Sequence, residues 1–127
     1  MTYFNTRLED VKLLNKEDYP KKGHKETKMR QDLDALIKEL DIKDGSSISF
    51  HHHLRNGDRV LVQVMKAIQK TGVKDLTLVA SSIFPSMADI VELLEDGTIT
   101  NVVTSYISGP VGEAISKGKL KGSILMQ

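Results

Sequence analysis

The side chains best suited to chemistry lie in a single run, Phe50-His51-His52-His53-Leu54-Arg55-Asn56-Gly57-Asp58. If an extended strand continues through the histidines, His51 and His53 share one face and His52 takes the other. A catalytic zinc needs three protein ligands, and the only other histidine of the chain is the distant His24, so no metal site is assigned. The run suits an anion better. A strand end leading into a helix N-terminus offers backbone N–H groups, Gly57 lets the backbone approach a ligand, and Arg55 presents a fork that matches a carboxylate or phosphate. Imidazoles add donors that titrate near neutral pH. The competing structural reading packs His52 on the apolar face and leaves His51 and Arg55 merely exposed.

Two further clusters carry hydroxyls, Ser81-Ser82 and Thr104-Ser105. They could contact a ligand, or they could only cap the helices that follow. Glu113 falls in a first helical turn, where an acid complements the helix dipole, and it is not read as catalytic. No GxSxG elbow, Walker lysine or GxGxxG fingerprint follows any strand. No catalytic residue is therefore assigned within the chain.

Positioning these groups falls to a chain of 127 residues with no cysteine, 39% hydrophobic content and a formal charge of +1. Such a length can bury roughly two thirds of its unfolded surface, so neither disulfide nor structural metal is required. Near-neutral charge argues against broad nucleic-acid binding, and no apolar run approaches the ~20 residues of a membrane span. The opening Met1-Thr-Tyr-Phe-Asn-Thr-Arg has no signal-peptide pattern, which makes the cytoplasm the expected location. The first 30 residues carry eight basic and five acidic side chains, and Lys21 to Lys28 contains no apolar residue. Residues 1–28 read as a basic, solvated arm, and 29–127 as the organised domain.

Within that domain Met29, Leu33, Leu36, Ile37 and Leu40 recur at helical spacing. Ile48 and Phe50 alternate in a strand, and Asp58 is placed to cap a helix through Val60, Leu61, Val64, Met65 and Ile68 that stops at Gly72. Leu76 to Ala80 reads as a second strand, with Ser86 and Asp89 as a capping pattern for the next helix. Ile99 to Val103 is a third strand, Pro110 opens a fourth helix that ends at Gly118, and Ile124-Leu125-Met126 begins a fourth strand. Strands alternating with single helices predict βαβ crossovers and a mainly parallel sheet. In such sheets the ligand crevice lies at the carboxyl ends of the strands, which is where all three candidate loops fall.

The run from Leu40 to Asp58, with "SFHHH" followed by "LRNGD" at a strand end, closely resembles the citrate lyase alpha subunit family, the citrate CoA-transferases. Lys74 to Ile83 is similar to that family's second strand and serine loop, and Gly112 to Gly118 to its third helix. Thr104 to Gly109 departs from it: Tyr106 and Ser108 stand where many members carry glycine and arginine. The resemblance implies an incomplete three-layer α/β/α domain, CoA-transferase-like, as in the superfamily shared with sugar-phosphate isomerases. It implies exchange of acetate for citrate on an acyl-carrier-protein thioester. It also implies a phosphoribosyl dephospho-CoA arm as thioester carrier, none of it covalently bound to this chain, and a beta subunit and a gamma acyl carrier protein as partners. The substrate or thioester contacts it suggests are His51, His52, His53, Arg55, Asn56, Gly57, Ser81, Ser82 and Ser105. Family members are several times longer and take a nucleophilic glutamate from a later half, so this chain is expected to be an inactive N-terminal part that exposes a sheet edge and associates through it. A non-catalytic organic-acid-binding or assembly module on the same fold, and a sugar-phosphate isomerase-like protein, are the alternatives.

Overall fold

The computed structural model describes residues 29–51 and 57–127. Helix α1 spans Leu33–Leu40: the Asp32 carboxylate accepts from the Ala35 N–H at 2.7 Å, and Asp41 closes the helix in the left-handed region at φ 49°. Only Ile37 of this helix is buried, with Leu33 packed at the core's margin and Leu36 half-buried. Met29 and Leu40, expected on the same stripe, are exposed. Met29 precedes the helix, and Leu40 occupies its last position, beyond the reach of the core.

Strands β1 (Ser47–Phe50), β2 (Leu76–Ala80), β3 (Ile99–Thr104) and β4 (Ile124–Met126) form one all-parallel sheet in chain order. Between them run α2 (Val60–Gln69), a 3-10 turn (Pro85–Ile90) that passes into α3 (Val91–Glu95), and α4 (Pro110–Ser116). When parallel strands follow in chain order, crossovers of the usual right hand leave every connecting helix on the same side. The burial pattern agrees. Leu76, Leu78 and Ala80 of β2 are buried while Thr77 and Val79 between them are half-buried, and Val102 and Thr104 of β3 are buried while Asn101 and Val103 are half-buried. Thus the expected α/β architecture is present, with these residues supplying the sheet and one helix layer.

The core is one cluster between sheet and helices. Leu61, Met65 and Ile68 of α2, Leu78, Met87, Leu94 and Val102 are all essentially inaccessible, each contributing roughly 1.5–3 kcal/mol by leaving water. Arg59, not the expected Asp58, occupies the cap position of α2 and makes no side-chain bond there; the Asp58 carboxylate, one residue earlier, accepts from the Val60 N–H at 2.8 Å. Ser86 does not start the next helix. Phe84 occupies the cap position with no side-chain bond and Pro85 takes the first position, where its missing N–H costs nothing. Met87, with φ −95° and ψ 18°, then kinks the turn before α3. Pro110 opens α4, and Gly118 at φ 78° follows its end, both as expected. At the far edge β4 is exposed along all three residues.

Candidate functional site

Strand register brings the candidate loops to one level. Phe50 pairs with Ala80, and Ala80 with Thr104. His51, Ser81 and Ser105 are each the next residue, so they lie in one row beyond the carboxyl edge of three adjacent strands. At about 4.8 Å between neighbouring strands, the backbones of His51 and Ser105 are roughly 10 Å apart, a span suited to a small polyanion. Thr104 also pairs with Met126, and the Gln127 N–H donates to the Thr104 carbonyl at 3.1 Å, which continues the row by one more residue. Nothing in the sequence pattern singled out Gln127; only the β3–β4 register places it there.

The two serine loops are joined to each other. Ile83 and Ile107 form an isolated parallel bridge. The Ile83 N–H donates to the Tyr106 carbonyl at 2.8 Å, the Ser108 N–H to the Ile83 carbonyl at 3.0 Å, and the Ser105 N–H to the Ser81 carbonyl at 3.3 Å. The Thr104 hydroxyl adds a second bond to the Tyr106 carbonyl at 3.0 Å, and the rings of Phe84 and Tyr106 lie 5.7 Å apart. The loops therefore extend the β2–β3 pairing outward as a rigid ledge. Tyr106, half exposed, and Ser108 belong to this ledge; the aromatic and hydroxyl residues there could have been read from the sequence only with the bridge in hand.

Ser81 and Ser82 are half-buried and Ser105 is exposed. The helices that follow them have Phe84 and Gly109 at their caps, neither with a side-chain bond, so these hydroxyls are not spent on capping. On the first loop, β1 ends at Phe50, His51 is exposed just beyond it, and Gly57 is exposed on the far side. His52, His53, Arg55 and Asn56 lie outside the described residues, as does the proposed arm of residues 1–28. Among the described residues no cluster of His, Asp or Glu could hold a metal ion, and no helix is long and apolar enough to cross a membrane.

This arrangement has close counterparts. The family model for citrate lyase, alpha subunit, matches residues 26–127. The citrate lyase alpha chain of Escherichia coli K12 is 37% identical over 105 residues, which is 83% of this chain and 21% of the relative. That of Haemophilus influenzae is 41% identical over 96 residues, 76% of this chain and 19% of the relative. A solved structure described as the alpha subunit of citrate lyase from Streptococcus mutans, in complex with citrate, superposes with a TM-score of 0.67 at 37% identity, covering 70% of this chain and 18% of that one. The chain spans about a fifth of the length of the curated relatives it matches. The family model covers most of the chain, and the chain belongs to the citrate lyase alpha subunit family.

Proposed function

We propose that this chain supplies the citrate-side crevice of a citrate CoA-transferase, the activity that exchanges acetate for citrate on an acyl-carrier-protein thioester. The observation that carries the reading is the single row of His51, Ser81 and Ser105 at the strand ends, in a chain 37% identical to a protein solved with citrate. Citrate presents three carboxylates and a hydroxyl. Hydroxyls and backbone N–H groups on a rigid ledge can hold part of it, and the fork of Arg55 with His51, His52 and His53 can hold the rest. Asn56 and Gly57 complete that loop. An enzyme carboxylate outside this chain attacks the thioester carbonyl and expels the carrier thiolate, leaving an acyl anhydride on the enzyme, while donors of this loop polarise that carbonyl as negative charge develops on its oxygen.

The partners that go with this reading are the lyase beta subunit and the gamma acyl carrier protein with its phosphoribosyl dephospho-CoA arm, in the cytoplasm. The exposed apolar residues of β4 support association of this edge with further protein. Calorimetric titration of citrate into the purified chain tests the reading. Citrate binding that Arg55→Ala weakens at least tenfold is expected, without thioester exchange by the chain alone. Absence of citrate binding, or a sugar phosphate bound in preference to it, would overturn the assignment.

A further inference from the structure

Past the ends of β2 and β3, the Ile83–Ile107 bridge restores the side-chain alternation of a parallel pair. Ile83 is fully buried and Ile107 packs against the core, so the flanking Ser82, Phe84, Tyr106 and Ser108 turn to the opposite face of the ledge. The ring contact between Phe84 and Tyr106 agrees, since it joins two residues of that face. Of the phenylalanine and tyrosine side chains among the described residues, Tyr106 alone is exposed, at 50%. It is nonetheless held. Its carbonyl accepts from the Ile83 N–H at 2.8 Å and from the Thr104 hydroxyl at 3.0 Å, which fixes the direction in which the side chain leaves the backbone. The Phe84 ring, tilted by 45° at 5.7 Å, then supports the phenol from one side. Its neighbour Ser105, also exposed, belongs to the row at the strand ends.

We propose that Tyr106 is a specificity-determining residue of this crevice: its phenol hydroxyl donates to a carboxylate of the bound acid and selects acids long enough to reach it from the row. The proposal rests on the citrate reading above. A phenol hydroxyl stands a whole ring farther from the backbone than a serine hydroxyl, and it donates as a serine does. An acid whose only carboxylate is held by His51, Ser81 and Ser105 ends short of that hydroxyl. Citrate, with carboxylates at opposite ends of its carbon chain, spans both. A braced ring also gives up less rotamer freedom on binding than a free one, so the longer acid gains most of the added hydrogen bond. The exchange needs this discrimination, because the acid that enters is citrate and the acid that leaves is acetate.

The test is titration of the purified chain with citrate and with acetate, followed by amide NMR, for the parent, Tyr106→Phe and Tyr106→Ala. Tyr106→Phe keeps the ring on Phe84 and should unfold in urea at the parent's midpoint. Its citrate affinity is expected to fall about tenfold, the effect of losing one hydrogen bond to a charged group, while acetate affinity stays within about twofold. Tyr106→Ala should lose at least as much citrate affinity. Citrate affinity of Tyr106→Phe within about twofold of the parent, or equal losses for citrate and acetate, overturns the assignment; the second result would make the side chain a structural brace. If the parent binds citrate and only the Tyr106→Phe prediction fails, the citrate reading stands. If the parent binds no citrate, both fall.

Discussion

Ile83 and Ile107 form a bridge between the loops after β2 and β3, three residues beyond the end of each strand. Ile83 is completely buried, so this bridge is anchored from below by the core and from above by the Tyr106 carbonyl, which accepts from both the Ile83 N–H and the Thr104 hydroxyl. Loops at the functional edge of a parallel sheet are commonly the most mobile part of the fold. Here two of the three are tied together through their backbones into a ledge, which lowers the entropic cost of holding any ligand on them.

That ledge depends on Gly109. With φ at +74° and Pro85 at 3.0 Å from any added Cβ, Gly109→Ala combines backbone strain with a contact against a rigid ring. A loss of about 1–3 kcal/mol is expected. Urea unfolding measures it, and amide shifts in the variant should concentrate at Ile83, Tyr106 and Ser108. An unchanged midpoint would mean that the loops are not braced through this contact.

Attachment of β4 rests on a different close approach. An added Cβ at Gly122 would lie 2.4 Å from the Thr100 carbonyl oxygen and 2.5 Å from Asn101 Oδ1, and a backbone carbonyl cannot move aside cheaply. The same Asn101 oxygen accepts from the Ser123 N–H at 2.9 Å and from its hydroxyl at 3.1 Å. Gly122→Ala should therefore release β4 while sparing the core. Hydrogen exchange at the Gln127 amide, bonded to the Thr104 carbonyl, would accelerate at least tenfold, whereas amides of β2 would keep their protection. Asn101→Ala should produce a milder version, costing about 1–2 kcal/mol of local stability.

Leu78 occupies the middle of β2, fully buried and paired on both sides, with Ile48 in β1 and Val102 in β3. Truncation there leaves a void in the middle of the core cluster. Leu78→Ala should cost roughly 2–5 kcal/mol in chemical denaturation. A cost below 1 kcal/mol would show the helix layer to be loosely seated.

The parallel sheet was legible because each strand was a short apolar run punctuated by turn residues, and because Gly72 and Gly118 stop their helices where a left-handed residue must stand. Pro110 likewise announced its helix through local chemistry, and Asp58 did so from one residue before the cap. Ser86 misled because a serine followed by an acid is a capping pattern only when the backbone before it is free to enter a helix there. Phe84-Pro85 had already started the turn, with the cap two residues earlier. The ledge was less visible still. It is made by carbonyls and amides of Ser81, Ile83, Ser105 and Tyr106, whose pairing depends on the β2–β3 register and on no property of the side chains themselves.

At the opposite end of the sheet Asp96 should govern part of the acid sensitivity. Partial burial pushes its carboxyl up, but hydrogen bonds from Gln69 and Thr98 and the charge of Lys74 outweigh that and hold it below the ordinary aspartate range. The Gln69 amide and the Thr98 N–H both lie 2.8 Å from its oxygens. A carboxyl depressed in the folded state contributes stability that is fully present above its unfolded value, about 3.9, and is lost as pH falls through the folded one. Its contribution should accordingly be flat above about pH 5 and fade through the acid range below that. The side chain is 36% exposed, and solvent screening keeps the effect modest. Asp96→Asn should destabilise the chain by on the order of 1 kcal/mol at pH 7 and hardly at all near pH 2. Urea unfolding of parent and variant at both pH values checks this, and a difference that stays constant with pH would assign the loss to packing instead of to the carboxylate.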